Sequence, residues 1–352
     1  MGSIIIHAGM PKAGSTSLQG WLATEAKSLL RRLDVAFLFA GTNRRRFQRH
    51  PTVKIDYCRH DQYVSTELAV QLRDPQFSDL PLVDQFMDQL SHWSEKHKTS
   101  VLTSEAFSVF FSVGDERFLS ALDRLARAVP VRVAYYVRPQ HSAIESAWRQ
   151  WGFRDDASPS AFTQAYSENL HYLRTFKRTA ELAPHVRLEV RPFDKDLLVR
   201  GNVAADFAHH FLDFSHSDSE AIEAPWGNRG LPLEVANLLR LAPRGMFWKN
   251  ADDNHRLETV KRFLKQVEME PSVRIRRSRQ VLNEYCYLQF ERDNQRLAQE
   301  FKWNTDSFIP RPAADESDWS RSLDPLDDDW RPDIGTNEAN LFFATLQRAI
   351  CE

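Results

Sequence analysis

The sequence is poor in cysteine and has no long apolar run, and these two absences exclude several classes of protein. Its 352 residues include three cysteines, Cys58, Cys286 and Cys351, which are odd in number and far apart. This pattern argues against a disulfide framework and predicts reduced thiols in a cytoplasmic protein. No run approaches the ~18–20 apolar residues needed to span a bilayer, so we expect no transmembrane segment.

An excess of charge of either sign is also missing. The 46 Lys and Arg residues nearly balance the 48 Asp and Glu residues, and the formal net charge is −2. Proteins that bind nucleic acid over a broad surface usually carry a strong positive field, so we expect no nucleic-acid partner. The His and Cys residues form no clustered ligand set, which gives no candidate metal site.

The chain does contain a regular alternation of strand-like and helix-like segments. Short apolar runs predict strands at 3–7, 35–40, 100–104, 131–137 and 186–191. Amphipathic patterns between them predict helices near 15–31, 81–97, 116–128, 140–152 and 160–182. The alternation predicts an α/β fold with a central parallel sheet flanked by helices. Ligands of such sheets bind beyond the carboxyl ends of the strands.

The second half of the chain is predicted to be more helical. Helical patterns lie near 195–212, 232–242, 254–269 and 277–301, and a last helix is predicted at 336–350. Residues 304–335 are rich in Pro and Asp and predict an extended acidic arm or a disordered tail. The apolar residues Trp319, Leu323, Leu326 and Trp330 favour an arm held on the surface over full disorder. We therefore expect a domain at 1–303, with an α/β core at about 1–212 and a helical part at about 213–303, followed by the arm and terminal helix at 304–352.

Residues 4–19, IIIHAGMPKAGSTSLQ, carry the strongest functional signal. Three isoleucines predict a buried strand, a loop bounded by Gly9 and Gly14 follows, and a helix begins near Ser15. A strand, a glycine loop and a helix N-terminus together predict a phosphate cradle, because backbone N–H groups and the helix dipole favour an anion. The spacing would be that of a Walker A loop, but serine replaces the lysine, and the loop's lysine is Lys12 instead.

The core Pro11-Lys12-Ala13-Gly14-Ser15-Thr16 resembles the 5′-phosphosulfate loop of sulfotransferases. These enzymes take sulfate from PAPS (3′-phosphoadenosine 5′-phosphosulfate). The resemblance implies that PAPS is the sulfate donor, that no metal is required, and that Lys12 offsets charge on the leaving oxygen. The residues that it implies in binding the 5′ end are Lys12, Ala13, Gly14, Ser15, Thr16 and Ser17.

A second segment, residues 131–151, agrees with the first. A predicted strand stops at Arg138-Pro139, and Ser146 follows eight residues after the arginine. In the sulfotransferase family an arginine and a serine at this separation grip the 3′-phosphate of PAPS, so the resemblance assigns that role to Arg138 and Ser146. The likeness extends loosely over about residues 3–301 and implies a P-loop NTPase-like core.

The acceptor must lose a proton, and Glu105 is the predicted general base. It follows the strand SVLTS and should reach the same edge of the sheet as the phosphate loop. The alternative is that Glu105 caps the next helix. His7 is interpreted as a structural histidine that hydrogen-bonds across strand ends, while His50 and His60 are rival bases.

The sequence therefore predicts a cytoplasmic enzyme that transfers a sulfuryl group from PAPS to an acceptor hydroxyl, with PAP as the product. We expect the acceptor to be a carbohydrate, other glycan or small metabolite. Two alternatives stay open: a P-loop nucleotide-dependent kinase, and a non-catalytic protein that binds a nucleotide or glycan. Two basic clusters, residues 44–46 and 274–279, either are solvated or help to hold an anionic acceptor. The oligomeric state is not predicted.

Overall fold

The structure is a computed structural model in which two compact units can be described separately. It describes residues 2–10, 13–43, 52–58, 68, 71–72, 81–105, 107–152, 157–223, 232–239, 273–303, 308, 311–312 and 322–330. The first unit comprises residues 1–139, 171–227 and 293–308, and the second comprises residues 140–170, 228–292 and 309–352. Six predictions lie outside the described residues: those for Lys12, residues 44–46, His50, His60, the helix at 254–269 and the helix at 336–350.

A six-stranded sheet forms the framework of the first unit. Its strands are β1 (Ser3–His7), β2 (Val35–Asn43), β3 (Thr52–Tyr57), β4 (Thr99–Thr103), β5 (Val131–Val137) and β6 (Arg187–Pro192), in the order β3-β2-β4-β1-β5-β6. All neighbouring strands are parallel except β3, which pairs antiparallel with β2. The α/β prediction is confirmed and the sheet is mostly parallel, with β3 as an antiparallel edge strand that was not predicted.

Helices connect and flank the strands. Those described are α1 (Ser15–Leu33), α2 (Leu82–Lys96), α3 (Phe107–Val113), α4 (Glu116–Ala128), α5 (Gln140–Ala147), α6 (Pro159–Ser167), α7 (Tyr172–Leu182), α8 (Val203–Phe211), α9 (His216–Glu220), α10 (Leu233–Leu239), α11 (Val273–Phe301) and α12 (Asp324–Asp329). The helix expected at 160–182 is two helices, α6 and α7. The helix expected at 195–212 begins only at Val203, because the Asn202 side chain caps α8 by accepting from Ala204 N at 2.9 Å.

The register of the sheet places four strand ends at one edge. His7, the last residue of β1, lies opposite Thr103 of β4 and Ala134 of β5. Val137, which ends β5, lies opposite Pro192, which ends β6. Because these strands are parallel, the chain leaves all four of them at the same carboxyl edge. The loop after β1, residue 105 and residue 138 therefore leave the sheet at this edge.

A buried polar network joins β5, β6 and α8 near that edge. Asp206 of α8 is fully buried and accepts two hydrogen bonds from the Arg191 guanidinium of β6, at 2.5 and 2.7 Å. The Tyr136 hydroxyl donates to the same carboxylate at 2.8 Å. Burial and the neighbouring carboxylate raise the pKa of Tyr136 well above its usual value. The tyrosine ring in turn packs edge-on against His7, with ring centroids 5.9 Å apart.

We expect Asp206→Ala to lower the free energy of unfolding by about 3–5 kcal/mol, because it leaves the Arg191 charge and the Tyr136 hydroxyl without their buried partner. Asp84→Ala is the control. It breaks a surface ion pair with Arg124 in which both side chains are more than half exposed, so its cost should stay below about 1 kcal/mol. Urea denaturation of both variants measures the difference, and equal losses would contradict the interpretation of the network.

The second unit has its own aromatic core. Trp148 lies in a π-helical turn, Trp148–Gly152, that continues α5, and its ring packs 5.1 Å from the ring of Trp330. The two indole N–H groups donate to Asn237 and to Ser278. Within residues 322–330, α12 (Asp324–Asp329) is helical and the following Trp330 is fully buried, so these residues do not form the extended arm that was predicted.

Charge in this unit is paired as well. Glu145 of α5 accepts two hydrogen bonds from Arg279 of α11, at 2.8 and 3.1 Å, and a third from Arg149 at 2.7 Å. Arg279 belongs to the basic cluster at 274–279, so this member of the cluster serves packing within its own unit. Among the described helices, none is both long enough and apolar enough to cross a bilayer.

Candidate functional site

The loop between β1 and α1 has the geometry that favours an anion. Gly14 precedes α1 with φ 77°, in the left-handed region, and offers no side chain to cap the first N–H groups of the helix. A Cβ at this position would overlap the ring of Phe193. The 19-residue helix therefore presents its positive dipole end to the loop, at a turn that only glycine fits.

Two buried polar atoms, one on each side of this loop, have no hydrogen-bond partner among the described residues. His7 is fully buried and Ser15 is 2% exposed. Among the described residues, neither His7 Nε2 nor Ser15 Oγ has a hydrogen-bond partner. Both atoms lie within 3.0 Å of the point where a side chain on Gly9 would begin. Buried polar groups are rarely left unsatisfied, so two such atoms beside Gly9 indicate that a ligand approaches them.

The other ring nitrogen of His7 is fixed across the strand ends. Nδ1 lies 2.7 Å from Thr103 Oγ1, and Gln19 Nε2 of α1 donates to the same hydroxyl at 3.4 Å. Burial lowers the pKa of His7 to about 3, so the ring is neutral at physiological pH. His7 Nδ1 therefore makes the contact across strand ends that was expected of a structural histidine. Nε2 has no hydrogen-bond partner among the described residues.

The neutral burial of His7 makes the stability of the first unit depend on pH. An unfolded His7 titrates near pH 6.5, whereas the folded one titrates near 3. The unfolded state alone therefore takes up this proton as the pH falls below about 6.5, and the folded state loses stability down to about pH 3. Between pH 7.5 and 5 we expect His7 to contribute a loss of about 2 kcal/mol. In His7→Gln, urea denaturation at both pH values should show a correspondingly smaller loss, and an unchanged loss would contradict the assignment.

Arg138 and the end of the loop lie near the same side chain, that of Phe193. Its guanidinium carbon is 5.9 Å from the ring centroid of Phe193, the ring that also abuts Gly14. Its carbonyl accepts from the Tyr172 hydroxyl at 2.8 Å, and Phe193 N donates to Val137 O at 2.6 Å. Phe193 thus connects the half-buried arginine with the start of α1.

Glu105 lies in the turn between β4 and α3. The preceding residue, Ser104, donates its N–H to the His7 carbonyl at 3.1 Å, which places this turn beside the end of β1. The Glu105 carbonyl accepts from both the N–H and the hydroxyl of Ser108, at 3.0 and 2.6 Å. The backbone of Glu105 therefore stabilises the start of α3, and the residue is part-exposed at the carboxyl edge.

The other residues that the resemblance assigns to PAPS binding differ in their exposure and in the compact unit to which they belong. Ala13 is buried, Thr16 is exposed and Ser17 is part-buried in the first turn of α1. Ser146 lies on α5, in the second compact unit, so the proposed grip by Arg138 and Ser146 stays a prediction. The role of Lys12, which lies outside the described residues, also stays a prediction.

Sequence reasoning missed Gln19, Thr103 and Phe193 as parts of the site. Each occupies an ordinary helix, strand or strand-end position, and none matches a motif. Within the described residues, no group of three or more His, Cys, Asp or Glu side chains could hold a metal ion. Comparisons with protein-family models, curated proteins and solved structures found no match for this chain.

Proposed function

We propose that this protein is a PAPS-dependent sulfotransferase and that the loop between β1 and α1 binds the 5′ end of the donor. The observation that carries the proposal is the pair of buried, unpartnered atoms, His7 Nε2 and Ser15 Oγ, at the N-terminus of α1. Together with the lysine-bearing loop sequence, this arrangement favours a phosphate or sulfate ligand over an uncharged one.

The residues present fit both ends of PAPS. Gly14, Ser15, Thr16 and Ser17 would hold the 5′-phosphosulfate through N–H groups and hydroxyls. Arg138, which shares Phe193 with the loop, would pair with the 3′-phosphate, since guanidinium forms paired charge-assisted bonds with phosphate oxygens. When bound, PAPS supplies the sulfuryl group that the acceptor receives.

Two side chains have proposed roles in the transfer. Glu105 would accept the proton that the acceptor hydroxyl loses as its oxygen bonds to sulfur. Lys12 would offset the negative charge that grows on the phosphate oxygen whose bond to sulfur breaks. We propose a hydroxyl of a carbohydrate or small metabolite as acceptor, and the cytoplasm as the location.

Differential scanning fluorimetry with PAP, and with ATP plus magnesium, tests this function. We expect PAP at micromolar concentrations to raise the melting temperature equally with and without EDTA. A magnesium-dependent shift with ATP alone would instead support the kinase alternative. A protein that neither PAP nor PAPS stabilises would contradict the proposal.

Arg138→Ala should weaken PAP binding by at least about 10-fold, because it removes charge-assisted hydrogen bonds to the 3′-phosphate. Arg124→Ala is the matched control, since Arg124 is an exposed arginine of α4 that pairs with Asp84. Isothermal titration calorimetry on both variants measures the effect. Equal affinities in the two variants would remove Arg138 from the site.

A further inference from the structure

The hydrogen bonds around His7 determine which of its nitrogens carries the proton. Gln19 Nε2 donates to Thr103 Oγ1, so this hydroxyl oxygen already accepts one hydrogen bond. Its own proton needs an acceptor, and His7 Nδ1 lies 2.7 Å away. That distance is typical of a hydroxyl donor and is shorter than most N–H···O bonds. This geometry favours a Thr103 hydroxyl that donates to Nδ1.

A neutral imidazole has one N–H, so a ring that accepts at Nδ1 must carry its proton on Nε2. The described residues offer this N–H no acceptor, although it is fully buried. Ser15 Oγ, the other unpartnered atom, lies 2.4 Å from the position that a Gly9 Cβ would take, and His7 Nε2 lies 3.0 Å from it. The His7 Nε2–H group and the Ser15 hydroxyl, on either side of the loop, are thus two donors that lack an acceptor among the described residues.

We infer that His7 is a ligand-binding residue, in the Nε2–H form, which donates together with the Ser15 hydroxyl to one oxygen of an anion bound in the loop. Gln19 and Thr103 are positioning residues, because they set the tautomer without reaching the ligand. That the anion is the 5′-phosphosulfate of PAPS rests on the proposed function, whereas the donor assignment does not.

The inference also separates His7 from the candidate bases. An Nε2–H group has no lone pair with which to take a proton from an acceptor hydroxyl. His7 lies on β1, directly beside the end of the strand that precedes Glu105. His7 therefore donates a hydrogen bond to the anion, and the candidate bases stay Glu105, His50 and His60.

The substitutions His7→Gln and His7→Asn test the donor role, because each supplies an amide N–H at a different ring position. The amide of His7→Gln can reach the position of Nε2, whereas that of His7→Asn extends only to the position of Nδ1. We expect His7→Asn to weaken PAP binding by about 10- to 100-fold, the loss of one hydrogen bond to a charged group, and His7→Gln to weaken it much less. Ser100→Ala is the control, since Ser100 Oγ is also buried and unpartnered but lies within β4. It should bind PAP like the wild type.

Nitrogen-15 NMR of the ligand-free protein tests the tautomer directly. We expect the His7 signals of an Nε2–H ring in the wild type, and loss of this preference in Thr103→Val. A ring protonated on Nδ1 would overturn the inference, as would folded His7→Asn and His7→Gln variants with equal affinity.

Pyrophosphate and ATP are titrated in parallel with PAP. If the wild type binds one of these but not PAP, and His7→Asn loses that binding, the proposed function fails and the inference stands. If PAP binds and both amide variants bind it like the wild type, the inference fails and the proposed function stands. A wild type that binds none of the three compounds overturns both.

Discussion

Gly9→Ala is expected to abolish measurable binding of PAP. The new methyl group would overlap Ser15 Oγ and lie 2.7 Å from His7 Cε1, closer than real contacts allow. The side chains of Ser15 and His7 must then move to make room for the methyl group. Losing two hydrogen bonds to an anion should weaken binding by more than about 100-fold. Overpacking should also lower the free energy of unfolding by about 1–3 kcal/mol.

Gly20→Ala is the matched control for this change. Gly20 lies in α1, and a Cβ there meets no atom within 4 Å. Because alanine favours a helix more than glycine does, this variant should gain up to about 1 kcal/mol of stability and bind PAP normally. Calorimetric titration and urea denaturation of the pair separate an effect on the loop from a general effect of the substitution. Normal binding by Gly9→Ala would show that the loop is not the binding site.

Glu105→Gln should lower turnover by about 100- to 10,000-fold while PAP binding stays within about twofold of the wild type, because the amide cannot accept the acceptor's proton. The backbone bonds from Ser108 to the residue 105 carbonyl do not depend on the side chain, so the fold should persist. A screen of sugar, lipid and phenolic acceptors with labelled PAPS supplies the assay.

Glu95→Gln provides the control for this prediction. Glu95 is more than half exposed on α2, and its carboxylate lies 3.7 Å from His92 Nδ1. Its turnover should match that of the wild type. Wild-type turnover in Glu105→Gln would remove this residue from the mechanism and leave His50 and His60 as the candidate bases.

The β1–loop–α1 segment could be predicted from sequence because its signals are local. Three consecutive isoleucines specify a buried strand, and Gly14 marks the left-handed turn before the helix. Strand β3 was missed, although Val53 and Ile55 alternate with exposed Thr52 and Lys54. Its polar positions resemble a connecting segment, and its role depends on pairing with β2, which no local pattern specifies.

The break between α6 and α7 could not be predicted from sequence. Residues 168–171, ENLH, contain no glycine or proline, and the break coincides with the boundary between the compact units at His171. The burial of Trp330 is similar, since it depends on Trp148 far away in the chain.

The environment of His7 depends on residues distant in sequence in the same way. The position of His7 at the end of β1 is visible in the sequence, but the contact of its Nδ1 with Thr103, whose hydroxyl Gln19 also contacts, is not. Such a network forms only when β4 and α1 pack beside β1. The sequence therefore indicated the loop but not the unpartnered His7 Nε2 beside it.

Comparing the affinities of PAP and 5′-AMP in EDTA tests the central claim most directly. The two nucleotides share adenosine and a 5′-phosphate and differ in the 3′-phosphate that Arg138 is proposed to hold. By calorimetry, we expect PAP to bind at a single site at least about 10-fold more tightly than 5′-AMP, without a metal ion. Equal affinity for the two nucleotides, or binding only with magnesium, would contradict a PAPS-dependent sulfotransferase.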